Sequence, residues 1–361
     1  MLQKSGDSLR VDSPKYHIPS LDGIRAIAIL IVFLAHAGLG HVIPGGLGVT
    51  IFFFLSGYLI TTLLRREFEK HNTINLKYFY IRRVLRIWPS FYLVLFAGFF
   101  ITILGLASGE IQYRPALAQI FHFANYYSII FGPAGTTVGS GVFWSLAVEE
   151  HFYLLFPLIY LFFFKINLSN REKFLSLFLL CCIILAWRYY LVNAVGVSSE
   201  RTYYASDTRF DSILFGCMLA VYGNPILDKQ QCSEFRIKYI YTPLAIALLL
   251  FTVYFRSEVF RETLRYSLQG IALFPLFIVA IRFPNWGVVR YLNSNWVCFL
   301  GILSYSFYLV HHTVIETIKL YGHMLPKLTQ GVIALVVTLS LSYIIHISVE
   351  APCARLRRKF S

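Results

Sequence analysis

The stretch 19-PSLDGIRAIAILIVFLAHAGL-39 decides how this chain is built. Its apolar side chains run far enough to cross a bilayer as one helix, and we read a span over 21–39. Arg25 and His36 lie inside it. Eleven residues of helix is about three turns, so both side chains fall within roughly 20° of one face and about 16 Å apart along the axis. Such a pair inside a membrane helix is costly and marks function by default. The plainer alternative is that Arg25 snorkels to the cytoplasmic interface while His36 bonds a neighbouring helix.

The rest of the chain extends this reading. Of 361 residues 57% are hydrophobic and only 14% charged, against about 25% charged in soluble domains. The chain reads as an all-α polytopic membrane protein. We expect about ten transmembrane helices, near 21–39, 46–64, 87–106, 143–164, 173–193, 208–222, 240–255, 266–281, 296–318 and 330–349. They form one domain over 21–350, between a cytoplasmic segment at 1–20 and a basic cytoplasmic tail at 351–361. The polar residues before the first span contain no apolar core with a small-residue cleavage site, so no removable signal peptide is expected. The six cysteines show no CxxC spacing, which predicts neither a disulfide nor a zinc site.

Net charge is +14. In a soluble protein that would raise nucleic acid as a partner; here the positive-inside rule explains it. With the N-terminus in the cytoplasm, 22 of the 32 Lys and Arg fall in inside segments, 7 in outside segments and 3 in spans. Both termini are therefore expected in the cytoplasm. One outside segment dissents, 256–265, with Arg256, Arg261 and Arg265 set against Glu258 and Glu262. The longest outside connection, 107–142, is rich in aromatics, as an interfacial belt or a platform for a sugar ring would be.

Several segments carry polar groups to membrane depth. In 143-FWSLAVEEHFYLLFPL-158, Glu149 and Glu150 enter an apolar span. They cannot share one helix face, so one points into the bundle and the other sideways. His36 lies roughly 22 Å up from the inner edge and Glu149 roughly 9 Å below the outer edge, which is the same depth in a core of about 30 Å. This places an imidazole beside a carboxylate able to fix its tautomer. In 304-SYSFYLVHHTV-314, His311 and His312 fall in the outer half of the ninth span. In 79-FYIRRVLRIWPSFYL-93, Arg82, Arg83 and Arg86 precede the third span, where they can grip phosphates or lipid headgroups. The glycines of 45-GGLGVTIFFFLSGYLITTLL-64 suit close helix packing, and Thr50 and Ser56 can bond across helices.

Taken in order, PSLDGIRAIAILIVFLAH, GVTIFFFLSGYLIT, FYIRRVLRIWP, FWSLAVEEHFYLL, SYSFYLVHH and SVEAPCARLRR resemble the acyltransferase-3 family of integral membrane O-acyltransferases over nearly the whole chain. Arg25 and His36 match its Arg-x10-His signature. The resemblance implies that His36 is central to acyl transfer, with Glu149 as its catalytic partner. It also implies that Arg82, Arg83 and Arg86, with Arg25, serve the phosphates of an acyl-CoA donor. Ser145, Glu150 and His311 are the further binding candidates. No bound cofactor or metal is expected. Relatives often carry Asp where this chain has Thr50, and Trp-Pro where it has His312 and Thr313. Many also append a soluble esterase-like domain, for which these 361 residues leave no room. The expected reaction is transfer of an acyl group, acetyl by family habit, from cytoplasmic acyl-CoA to a hydroxyl of a surface or lipid-linked glycan. The expected setting is a bacterial inner membrane, with membrane lipids as the other partner and no nucleic acid. The rival class is a transporter or lipid-linked sugar flippase, which also buries His, Glu and Arg. Against it, the chain has no internal repeat and no matched pair of broken helices.

Overall fold

The computed structural model describes residues 18–107 and 109–360. Of the expected cytoplasmic segment 1–20, residues 1–17 lie outside them, as does Ser361 of the expected tail. Among the described residues every regular element is helical.

The first helix, α1 (Pro19–Leu34), opens on proline, whose missing N–H costs nothing in a first turn. It runs on as a wider π-type turn over Ala35–Leu39. Next come α2 (Gly45–His71) and α3 (Leu76–Ile103), the latter capped by the Asn75 side chain accepting from the Tyr78 amide. Two short helices, α4 (Tyr113–Ile120) and α5 (Ala124–Phe131), build the long connection. The chain returns through α6 (Phe143–Lys165) and α7 (Asn170–Tyr190), which starts at a capping box of Ser169 and Glu172. A single turn, α8 (Ser199–Tyr204), leads into α9 (Ser206–Val221). A further rod joins α10 (Glu234–Arg236) through Ile237–Tyr241 to α11 (Thr242–Tyr254). The chain ends with α12 (Glu258–Glu262), α13 (Leu264–Arg282), α14 (Asn295–Tyr321), α15 (Lys327–Ile345) and α16 (Ala351–Arg357).

Nine helical rods among the described residues are long and apolar enough to cross a membrane. The expected span at 208–222 is not among them: α9 has 16 residues, about 24 Å of helix. It still traverses the bundle, because it runs beside α2 in the same direction. At one end Arg209 donates to the Thr50 hydroxyl at 3.2 Å. At the other, Arg65 donates to the carbonyls of Ala220 and Val221 at 3.2 and 3.0 Å. Thirteen of its residues past Asp207 are buried, so protein rather than lipid surrounds it. A short helix suffices where lipid does not set the length. Among the described residues α9 brings the helices that traverse the bundle to ten, which puts Ile18 and Phe360 on one face.

A second difference concerns the arginines. The third span was expected from residue 87, but α3 starts at Leu76. Arg82, Arg83 and Arg86 therefore lie inside the helix rather than before it. Hydropathy marks where lipid contact begins, whereas the helix begins at its cap.

The α2–α9 contact is a tight seam. A Cβ at Gly57 would lie 2.0 Å from the Ile213 carbonyl oxygen, and one at Gly216 1.9 Å from that of Phe54. Small residues let the two backbones touch. Behind this seam Arg188 and Asp211, both fully buried, pair at 2.7 Å. The Thr208 carbonyl and Ser267 accept further hydrogen bonds from the arginine. Gly216→Ala is expected to lower stability by about 1–3 kcal/mol through overpacking. Gly331→Ala, with no atom within 4 Å of its Cβ position, leaves it unchanged or raises it. Thermal unfolding in detergent checks the pair, and equal midpoints would contradict the seam.

Candidate active site

His36 sits in the π-type turn that ends the first span. Gly38 closes that turn at φ 109°, a conformation that L side chains rarely adopt. Turns of this kind recur at functional sites because they re-aim side chains off the regular helix. The His36 Nδ1 lies 3.0 Å from Nε2 of His311, a fully buried ring on α14. The other ring nitrogen of His311 is 2.7 Å from the Tyr308 carbonyl.

These two bonds fix the protons. A carbonyl only accepts, so Nδ1 of His311 donates. An unpaired charge is too costly for so buried a ring, which is therefore neutral and offers a lone pair at Nε2. His36 must then donate through Nδ1, leaving its own Nε2 unprotonated. The result is a base whose tautomer is set by a second histidine. His312 stands edge-on to His36, with ring centroids 5.0 Å apart.

The sequence reading paired His36 with Glu149 by depth. The structure gives that place to His311. Equal depth is one coordinate of three, and α6 presents Glu149 elsewhere: its Oε2 accepts from Tyr153 at 3.1 Å. Both face a cavity whose walls include Arg25, Ser56, Arg83 and Arg86. The Tyr153 hydroxyl also bonds Ser56.

The cavity is short of negative charge. Arg25 pairs with Asp22 at 2.6 Å. Arg83, only 7% exposed, lies above the rings of Phe79 and Tyr153 at 5.5 and 6.0 Å, and its Nε has no partner. Among the described residues Arg83 and Arg86 make neither a hydrogen bond nor an ion pair. Arg357, from α16, adds its field to those of Arg86 and Arg25. Against these cations the cavity wall offers one carboxylate, Glu149. Such a space is built for an anion.

The remaining candidates divide. Ser145 is in the cavity wall and bonds the Tyr308 hydroxyl at 2.6 Å. Tyr308 is one turn before His311, so this end of the cavity abuts the histidine pair. Arg82 does not line the cavity. It pairs with Glu67 at 2.8 Å and donates to the Phe360 carbonyl at 2.7 Å, tying α3 to the end of α2 and to the tail. Glu150 points the other way from Glu149, its Oε2 accepting from Trp88 Nε1 at 3.3 Å. Sequence reasoning missed Tyr153, Tyr305, Tyr308 and Arg357. Tyrosines on apolar helices look like core, and an arginine after the last span looks like part of a basic tail.

Comparison with known proteins adds an independent finding. The model of the acyltransferase-3 family, described as an acyltransferase domain, matches residues 18–347. The chain is 31% identical over 361 residues to the O-acetyltransferase OatA of Staphylococcus aureus, covering 96% of this chain and 57% of that protein. It is 29% identical over 358 residues to the peptidoglycan O-acetyltransferase OatA of Listeria monocytogenes, covering 94% and 56%. The chain thus spans about half the length of the curated relatives it matches. No solved structure matches it.

An unpaired cation facing a cavity is a stability cost kept for a ligand. Arg83→Met is therefore expected to keep or raise the thermal unfolding midpoint. Inorganic pyrophosphate, which should raise the wild-type midpoint by mass action, should no longer raise that of the variant. A variant that unfolds well below wild type but still responds to pyrophosphate would contradict this account of the cavity.

Proposed function

The chain belongs to the acyltransferase-3 family, and from that premise we propose that it is a membrane O-acyltransferase. It moves an acetyl group from cytoplasmic acetyl-CoA to a hydroxyl of a glycan or lipid-linked saccharide. The observation that carries this reading is the juxtaposition of an arginine-walled cavity with a histidine whose free nitrogen is Nε2. The cavity suits the phosphates of coenzyme A, held by Arg83 and Arg86 with Arg25 beside them, and its depth suits the pantetheine arm. Arg82 and Glu150 support the walls rather than touch the donor.

The Ser145–Tyr308 bond stands between the cavity and the histidines. On this reading the thioester meets His36 when that bond opens. Nε2 of His36 takes the proton of the acceptor hydroxyl while its oxygen attacks the thioester carbon. The carbon–sulfur bond breaks, and the coenzyme A thiolate leaves with the proton. The same lone pair could instead attack the thioester and carry the acetyl group to the acceptor. In either route His311 is a positioning residue: it holds the His36 proton on Nδ1. Glu149 holds Tyr153 and offsets part of the arginine charge. The setting we propose is a bacterial cytoplasmic membrane, with the donor on the inner side and the acceptor outside.

Membranes incubated with radiolabelled acetyl-CoA and a crude glycan extract test this. Label should enter glycan with wild type and fall to background with His36→Ala. Equal labelling would remove His36 from catalysis, and movement of saccharide across the membrane without labelling would favour a flippase. Removing a wrong-tautomer safeguard costs orders of magnitude in related acid–base systems. We therefore expect His311→Leu to lower kcat by about 100-fold with little change in the KM for acetyl-CoA. His311→Gln, which retains an acceptor for His36 Nδ1, should recover part of that loss. Identical Leu and Gln variants would refute the positioning role.

A further inference from the structure

The arginines that break the positive-inside pattern converge in the structure. Arg256, Arg261 and Arg265 line a second cavity together with Tyr203, Tyr266 and Gln269. It lies on the face opposite the termini, under the connection between α1 and α2. Arg256 donates to the His41 carbonyl at 3.2 Å. Arg265 donates to the Tyr266 hydroxyl at 2.9 Å, and its buried Nε has no partner. Arg261 is exposed and makes no hydrogen bond or ion pair among the described residues. Two carboxylates share the wall. Glu262 is engaged by the Thr202 hydroxyl, and Glu200 is exposed.

Behind the floor lies a fourth cation. Arg209 is fully buried, with its guanidinium 3.8 Å from the centroid of the Tyr266 ring and 5.4 Å from that of Tyr203. Its only hydrogen bond is to Thr50, and its Nε and Nη1 have no partner. The nearby carboxylate, Asp211, is taken by Arg188. An uncompensated buried cation costs several kcal/mol in this environment. Its field reaches the cavity through the two tyrosines, which also line it.

The geometry points to this cavity as the acceptor site, and to an anionic saccharide as the acceptor. The inference rests on the acyl-transfer reading above and deepens it. The arginines hold a carboxylate or phosphate, the tyrosines offer faces for sugar rings, and Gln269 and Ser199 offer hydrogen bonds to hydroxyls. The rim reaches the turn that carries His36: Gly45 lines the cavity, and a Cβ there would lie 2.8 Å from that of Ala35. An acceptor anchored by its anion is thereby delivered toward the end of α1. Headgroup contact would account for the exposed Arg256 and Arg261, but not for the half-buried Arg265 or the fully buried Arg209.

The test uses the whole protein in nanodiscs of neutral lipid. The probes are a tetrasaccharide of alternating N-acetylglucosamine and glucuronic acid, the same tetrasaccharide with its carboxyls reduced to alcohols, and a polyprenyl diphosphate N-acetylglucosamine. Binding is read by thermophoresis. The carboxylated or the diphosphate probe should bind, the one that does so identifying the anion, and the reduced tetrasaccharide should bind at least about tenfold more weakly. Arg261→Ala should weaken the charged probe about tenfold, the loss of one charge-assisted hydrogen bond, and Arg261→Lys should restore most of it. Equal binding of charged and reduced probes, or an Arg261→Ala variant indistinguishable from wild type, overturns the proposal. So does an effect of that variant confined to retention of anionic phospholipid. Wild-type acetyl-CoA hydrolysis is followed in the same samples. Arginine-dependent saccharide binding without donor turnover would leave the anion site standing and sink the acyl-transfer reading. Donor turnover without arginine-dependent binding would do the reverse.

Discussion

The constraint on which this structure depends is the cost of an arginine charge away from water. A cation at membrane depth needs a partner, and where the chain wants only stability it supplies a carboxylate. Arg188 has Asp211, Ser267 and a carbonyl. Arg65 has Asp228 in bidentate contact, Glu69, and the carbonyls that end α9. These networks clamp α2, α7, α9 and α13 into a core whose two helix backbones touch. Against that background the cations without a carboxylate in contact stand out: Arg83 and Arg86 at one cavity, Arg209, Arg261 and Arg265 at or behind the other. The same physics that makes the first group structural makes the second group informative.

Much of the fold was legible because lipid enforces it. Apolar length sets the spans, so α1, α2, α6 and α14 lie where their sequences place them. What failed were the elements that lipid does not measure. α9 is sheltered by its neighbours and needs no full span of apolar residues. α3 begins three turns before its lipid contact, so three arginines read as a surface cluster became two wall residues and one brace. Spacing along one helix could show that Arg82 and Arg86 share a face; it could not show that Glu67 and the tail would claim Arg82.

The site was legible in its members more than in its pairings. Arg25, His36, Glu149, Ser145 and His311 were each marked by polarity at the wrong depth. Their partners depend on helix rotation and lateral position, which a single sequence does not encode. Glu149 and His36 share a depth, yet α6 turns the carboxylate toward Tyr153 and the arginines. His311, one of two adjacent histidines, meets His36 because α14 packs along α1 with Phe307 against Phe33 one turn earlier.

The dissenting arginines show how an exception to one rule becomes evidence under another. Positive charge on the outer side lowers the fidelity of insertion, so a chain gains nothing from it by topology. A headgroup role would leave the side chains splayed on the surface. Instead Arg265 is half-buried with an orphaned Nε, and Arg209 lies wholly inside without a carboxylate of its own. On the acceptor-site proposal, charge placed against the topological rule, gathered into a polar cavity and backed by a buried cation, is charge held for something that arrives from outside. On the acyl-transfer reading, one class of anion meets the protein on each side: a phosphate-bearing donor below, an acidic sugar above. The histidine pair lies between them, and its tautomer rather than its charge prepares it to act.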